Sequence, residues 1–324
     1  METTRSHGFD GPFAAFAEEF IAFKRSLGYA YRNEERQMRN FCRFTENCTS
    51  SELTKELVLE WCKKRKNECV LAQRQRKRII RQFGVYMQQM GHPAFIVSKE
   101  VGRVARNPYV PYIFTQDEIQ SLLHSMDSLM ENSWAHGRFV HPLLLRILYG
   151  CGLRVSEAAG LQIRDVNLDE GILTVRNSKF EKDRLIPMSD SLTSACRAYA
   201  QKHLITQKTS CFFPSPDGTP YSCKTIYHHF RRALAKSGIP HRGKGYGPRL
   251  HDLRHTFAVH CLNRWTEQGK DISAALPVLA AYLGHDSLLM TQQYFRLTPE
   301  IYPALLASIE KACDGMIPKV AVPS

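Results

Sequence analysis

Apolar residues recur every three or four positions from Phe13 to about Met90, and this part of the chain reads as a run of amphipathic helices. Phe13, Phe16, Phe20 and Phe23 form one stripe, and Met38, Phe41 and Phe44 form another. The stretch "TSSELTKELVLEWCKKR" opens with Ser51 and Thr54 ahead of Glu52 and Glu56, a capping-box-like start for a further helix. From Gly91 to Pro111 the period vanishes, and prolines, glycines and basic residues alternate without order. That change predicts a helical N-terminal domain over residues 1–105, a linker reaching about residue 112, and a second domain over residues 113–324.

In the second domain Thr115 is placed to cap a helix that carries Glu118 in its first turn. The apolar stretch "HPLLLRILYGCGLRVSEAAGL" is interrupted at Gly150 and Gly152, so the chain turns there and re-enters a helix near Ser156, with Arg154 at its start. "GILTVRNSKFEKDRLIPM" changes to a period of two. It predicts a β-hairpin with Ile172, Thr174, Arg176, Arg184, Ile186 and Met188 on one side and Leu173, Val175 and Leu185 on the other. Helical patterns return from Ser189 to the end, where Ala304, Leu305, Ala307, Ile309 and Ala312 mark a last amphipathic helix. The expected fold is mainly α with a small antiparallel β-sheet, the N-terminal domain all-helical and the second domain α+β.

The formal net charge of +13 narrows the class of partner. An excess of positive charge in both halves suits an extended polyanion such as nucleic acid, and it also suits a basic protein with no such partner. Within the N-terminal domain the excess gathers at Lys63, Lys64, Arg65 and Lys66, and along Arg74, Lys77, Arg78 and Arg81, which share one helical face. Arg103 and Arg106 add charge to the linker. These ten residues are candidates for contact with a phosphate backbone, although a charged stripe is equally the solvated face of a helix. The ten cysteines include no CxxC pair, so neither a zinc ribbon nor a disulfide framework is predicted, and reduced thiols fit a cytoplasmic protein. No stretch reaches the roughly 18 apolar residues that a membrane span requires, and no membrane partner is expected.

Reactive side chains appear in a definite order along the second domain. Arg154 lies in "GCGLRVSEAAGL", Lys179 in the hairpin tip, His251 and Arg254 in "HDLRHTFA", His285 in "LGHDS", and Tyr294 in "QQYF". Arginines, a lysine, histidines and a tyrosine suit attack on a phosphodiester, because phosphoryl transfer places negative charge on non-bridging oxygens that fixed donors stabilise. His251 and His255 have the i, i+4 spacing that metal sites also use, but the glutamate of HExxH is absent. No metal and no cofactor is expected, and His255 is read as structural.

This ordered set resembles the tyrosine recombinase family, also called the phage integrase family, strongly over about residues 110–310. The helical N-terminal part is similar to the family's core-binding domain in size, position and charge. The resemblance implies two domains that close around duplex DNA and an enzyme that cuts and rejoins it. Tyr294 would be the nucleophile, forming a 3′-phosphotyrosyl link; Arg154 and Arg254 would hold the non-bridging oxygens. Lys179 would protonate the departing 5′-oxygen, His251 would assist proton removal from Tyr294, and His285 would donate to a phosphate oxygen. Aligning "KFEKDRLIP" with the family's K-G-N-K-E-R-x-x-P pattern favours Lys179, with Lys182 the alternative. Glu157 is expected to orient Arg154 or the helix start.

In relatives the terminal segment docks on a neighbouring protomer, so a homotetramer on DNA is implied, with the segment folding back on its own domain as the alternative. Partner recombinases and accessory DNA-bending proteins are compatible with that picture. The expected role is integration, excision or transposition of a mobile element; chromosome-dimer resolution of the Xer kind is the alternative within the family. Outside it stand a DNA-binding architectural protein that does not cut, a metallohydrolase, and a monomeric topoisomerase using the same tyrosine.

Overall fold

The computed structural model describes residues 8–99, 110–131, 137–176, 183–204, 209–243, 247–285, 291 and 294. The chain divides into two units, Met1–Pro108 and Tyr109–Ser324. In the first, helices α1 (Ala14–Ser26), α2 (Arg32–Phe44), α3 (Lys55–Cys62) and α4 (Val70–Gln89) surround an aromatic core. Phe13, Phe20, Phe41 and Phe83 are wholly buried. Phe41 meets Phe13, Trp61 and Phe83 at ring separations of 5.3, 5.3 and 6.1 Å, tilted or edge-on. Each such pair contributes about 0.5–1.5 kcal/mol beyond the area it buries.

One expectation for this unit needs correction. Thr54 alone caps α3, accepting the Leu57 amide at 3.3 Å, whereas the preceding turn is held by Ser50 rather than Ser51. The change in composition at Gly91 falls inside this unit. The Phe95 amide donates to the Leu53 carbonyl at 2.7 Å, Arg81 donates to the Val97 carbonyl at 2.7 Å, and Val97 is buried in the aromatic core. Residues 94–97 therefore belong to the first unit, because the apolar side chains of Phe95 and Val97 gain more by burial than a free linker would.

The second unit contains α5 (Gln116–Glu131), α6 (Gly137–Gly150), α7 (Val155–Ala159), β1 (Val166–Asn167), β2 (Ile172–Val175), β3 (Arg184–Pro187), α8 (Asp190–His203), α9 (Cys223–Lys236), α10 (Leu250–Glu267) and α11 (Ile272–Leu283). Thr115 and Glu118 cap α5 reciprocally, at 3.1 and 2.9 Å. Helix α6 lies at the centre and packs against α5, α8 and α10, burying Val140, Leu144, Ile147 and Leu148. A second apolar cluster joins Ala258, Val259 and Leu262 of α10 to Leu279 and Leu283 of α11, and it includes Tyr294. Among the described residues no helix is long and apolar enough to cross a membrane.

The three strands form an antiparallel sheet in the order β1-β2-β3. The sequence pattern did not predict β1, and it grouped Leu185 with Leu173 and Val175, which the observed register separates. Leu173 stands opposite Ile186, and Thr174 opposite Leu185. Directly opposed residues point to the same face, so Ile186 is buried beside Leu173 while Leu185 is 65% exposed. Alternation identified the strands but could not determine their relative register across the tip. That tip, with Lys179 and Lys182, lies outside the described residues, as do Arg103, Arg106 and the expected helix around residues 304–312.

Candidate active site

The site is built where three helix ends meet. The first is the start of α7. Gly152 has φ +57°, and a Cβ there would lie 2.6 Å from the Phe257 ring and 3.0 Å from Leu283. Glycine lets the chain turn sharply against α10 and α11, which makes Arg154 the N-cap of α7. Glu157 completes the turn by accepting the Arg154 amide at 2.9 Å and its guanidinium at 2.7 Å. Burial works against the Glu157 charge, but hydrogen bonds from Arg184 and then from Arg154 outweigh it and hold the carboxyl down at about 2.

The second end is the start of α10. Asp252 is wholly buried and accepts the Arg249 amide at 2.8 Å, fixing the first turn of "HDLRH". His251 is left exposed at the mouth, while Arg254 and His255, the latter one turn further on, are buried. The His251 and His255 rings meet edge-on at 4.8 Å.

The third end is the C-terminus of α11, where Gly284 adopts the left-handed conformation, φ +66°. Helix termini leave carbonyls without helical partners and carry partial negative charge, so they favour cations. Here three successive carbonyls each accept from a different arginine. Arg184 Nε donates to Tyr282 at 3.1 Å, Arg254 Nη2 donates to Leu283, and Arg154 Nη2 donates to Gly284 at 3.4 Å. Arg254 Nη1 also donates to the Gly152 carbonyl at 2.9 Å, which ties the glycine turn to the same cluster.

Tyr294 is fully buried beside this cluster. Its ring lies 5.5 Å from His255 and 6.0 Å from His285, stacked on the latter. Burial raises the phenol's pKa, and the charge of Arg254 partly offsets that effect. Burial, followed by the Arg254 charge, lowers His285 to about 4; burial, followed by His251, lowers His255 to about 3. Desolvation, followed by the Arg254 charge, also lowers His251. At neutral pH the site therefore holds a protonated phenol, neutral imidazoles and a cationic guanidinium cluster.

The structure thus brings together Arg154, His251, Arg254, His285 and Tyr294 of the six sequence candidates. Lys179 lies outside the described residues. Sequence reasoning missed Arg184, although it occupies the arginine position in the K-x-x-K-x-R-x-x-P pattern, and Thr291, which carried no sequence signal. Among the described residues no three His, Cys, Asp or Glu side chains are grouped to hold a metal ion.

The basic candidates divide into two sets. Lys63, Lys64, Arg65 and Lys66 are exposed on the turn between α3 and α4. That turn is anchored beneath by the buried Arg76, which bonds Glu68 at 3.0 and 2.6 Å and the Lys63 carbonyl at 2.9 Å. On α4, Arg74 and Lys77 are half-buried and Arg78 pairs with Glu34 at 3.1 Å. Arg81 departs from the expected open stripe, since its guanidinium turns to the Val97 carbonyl of its own unit.

The family model of the phage integrase family matches residues 113–300. Over 308 residues the chain is 30% identical to "Putative integrase/recombinase y4rB" of Sinorhizobium fredii, covering 92% of this chain and 97% of that protein. It is 33% identical over 217 residues to "Tyrosine recombinase XerA" of Pyrococcus horikoshii, covering 64% of this chain and 65% of that one. Among solved structures, the fold is similar to the Tn1549 transposon integrase in complex with transposon right end DNA, with TM-score 0.60, 18% identity, and coverage of 91% of this chain and 98% of that one. It is also similar to XerH bound to its palindromic difH substrate, with TM-score 0.59, 19% identity, and coverage of 86% and 78%.

Proposed function

Because the chain belongs to the phage integrase family and is a tyrosine-type site-specific DNA recombinase, we propose that Tyr294 is its nucleophile. One observation carries the assignment: the Tyr294 ring packs against the rings of both His255 and His285, with the Arg254 charge acting on its phenol.

The phenol oxygen attacks the scissile phosphorus, the bond from phosphorus to the 5′-oxygen breaks, and a 3′-phosphotyrosyl link and a free 5′-hydroxyl result. The link retains the energy of the broken phosphodiester, so a 5′-hydroxyl from another strand can reverse the step without a nucleotide. Arg154 and Arg254 hold the non-bridging oxygens, for which a planar fork of donors is better matched than an ammonium. His285 donates to the same group. His251, neutral at pH 7, assists removal of the phenol proton, and Lys179 or Lys182 of the hairpin tip protonates the departing oxygen.

Duplex DNA is the partner, held in part by the exposed turn at Lys63, Lys64, Arg65 and Lys66, with Arg74, Lys77 and Arg78 beside it. Four copies assemble on paired sites. Full-length similarity to an integrase/recombinase favours integration or excision of a mobile element. The 33% identity to XerA over the shared region supports dimer resolution as the second reading.

The test uses lightly nicked fragments of the source genome, incubated with the protein in EDTA and resolved under denaturing conditions. A covalent adduct from the wild-type chain, absent from Tyr294→Phe, is the expected result, and sequencing the captured DNA identifies the site. DNA that binds without forming an adduct would overturn the catalytic reading in favour of an architectural protein.

A further inference from the structure

Glu157 is saturated with donors from two arginines. Its Oε1 accepts from Arg154 Nη1 at 2.7 Å and Arg184 Nη1 at 3.2 Å. Its Oε2 accepts from the Arg154 amide at 2.9 Å and Arg184 Nη2 at 2.8 Å. A carboxylate has about four lone-pair directions, and all four are used here. Both oxygens, and with them the plane of the carboxylate, are thereby fixed. The arginine that completes this arrangement comes from neither helix end, but from the first residue of β3.

Arg184 has a third contact, from Nε to the Tyr282 carbonyl at 3.1 Å. Its side chain is 9% exposed, against 30% for Arg154. Arg184 is thus fully engaged inside the protein, whereas Arg154 keeps an open side. Gly284 adapts the backbone to this arrangement: a Cβ there would lie 3.0 to 3.2 Å from the Arg184 side chain.

We propose that Arg184 is a positioning residue for DNA cleavage, acting through Glu157 to aim and charge Arg154 at the scissile phosphate. Two effects support this role. Held by four donors, Glu157 cannot rotate, so the Arg154 guanidinium has a fixed seat. Shared between two guanidiniums, the Glu157 charge also leaves Arg154 with positive charge to offer. Without Arg184, Glu157 would become the private counter-ion of Arg154 and would compete with the phosphate. Because Arg184 opens β3, this linkage also ties the base of the hairpin to the arginine cluster. The inference rests on the reading of Arg154 as a phosphate ligand, and the test separates the two.

The probe is the nicked duplex recovered in the capture experiment, made with either a normal phosphate or a methylphosphonate at the scissile position. The methylphosphonate lacks one charged oxygen and so asks less of a guanidinium. Single-turnover adduct formation is compared for the wild-type chain, Arg154→Ala, Arg184→Ala, Arg184→Lys and the double alanine variant. Arg184→Ala is expected to lose about tenfold or more on the phosphate, as a misaimed group does, with unchanged DNA affinity and a smaller loss on the methylphosphonate. The double variant is expected to be no slower than Arg154→Ala, and Arg184→Lys to recover part of the rate. Equal losses on both substrates, or losses that multiply in the double variant, would overturn the positioning role. Should Arg184→Ala not fold, Arg184→Lys carries the same comparison. If Arg154→Ala alone costs nothing, the phosphate-ligand reading fails instead.

Discussion

His285 and Thr291 are joined at 2.7 Å, from the ring Nδ1 to the hydroxyl, and Thr291 is wholly buried. With the hydroxyl donating, Nδ1 is the acceptor and the proton of the neutral ring resides on Nε2, which is then a donor toward the site. Thr291→Val keeps the shape and removes the hydroxyl. It should slow adduct formation about tenfold, since a buried ring nitrogen without its partner costs about 1–3 kcal/mol and the tautomer is no longer fixed. Thr291→Ser should retain most of the rate. Single-turnover kinetics of both variants decide the point, and equal rates for valine and serine would exclude this use of the threonine.

Stability should fall in mild acid, for a reason that the buried imidazoles supply. Burial, followed by the neighbouring charge of His229, holds His141 at about 3, and its ring is 4.1 Å from that of His229. His255 and His285 are lowered in the same direction, to about 3 and about 4. Groups depressed below the unfolded value near 6.5 bind fewer protons folded than unfolded, so their contribution is complete above about pH 6.5 and is lost as pH falls toward 3 or 4. Each can contribute at most about 1.4 kcal/mol per pH unit in that window. Urea unfolding at a series of pH values should show the slope, and His141→Phe should flatten it; an unchanged slope would remove His141 from the account.

Arg254→Lys retains a positive charge but not the fork that joins Gly152 to Leu283. Adduct formation should drop about a hundredfold or more, the cost of losing an oriented donor to a transition state. The melting temperature should fall as well, because two buried carbonyls lose donors. A lysine variant with near-normal rate and stability would show that charge alone suffices there.

Much of the site was legible because its parts lie at helix ends, where local sequence determines geometry. Glycines before Arg154, the polar start of "HDLRH" and the glycine before His285 each place a side chain through turn and capping chemistry. What stayed hidden depends on distant segments. The carbonyls of Tyr282, Leu283 and Gly284 attract arginines from β3, α10 and α7, and no window of sequence contains that convergence. The burial of Tyr294 and the docking of Val97 are hidden for the same reason, since each depends on packing between segments far apart in the chain.

The register of β3 gives the most direct comparison of pattern with packing. By alternation alone, Leu185 belongs with Leu173 and Val175, and removing its bulk should open a cavity. By the observed pairing, Ile186 occupies that position, wholly buried against Leu173, and Leu185 faces solvent. Ile186→Ala should therefore cost about 2–5 kcal/mol, the range for deleting a buried aliphatic side chain. Leu185→Thr should change stability by no more than about 0.5 kcal/mol, as surface substitutions do, and a threonine keeps the strand preference. Denaturant midpoints of the two variants at constant m-value report the difference. The opposite ranking would mean that β3 is shifted by one residue, which would turn Arg184 away from Glu157 and detach the hairpin from the arginine cluster.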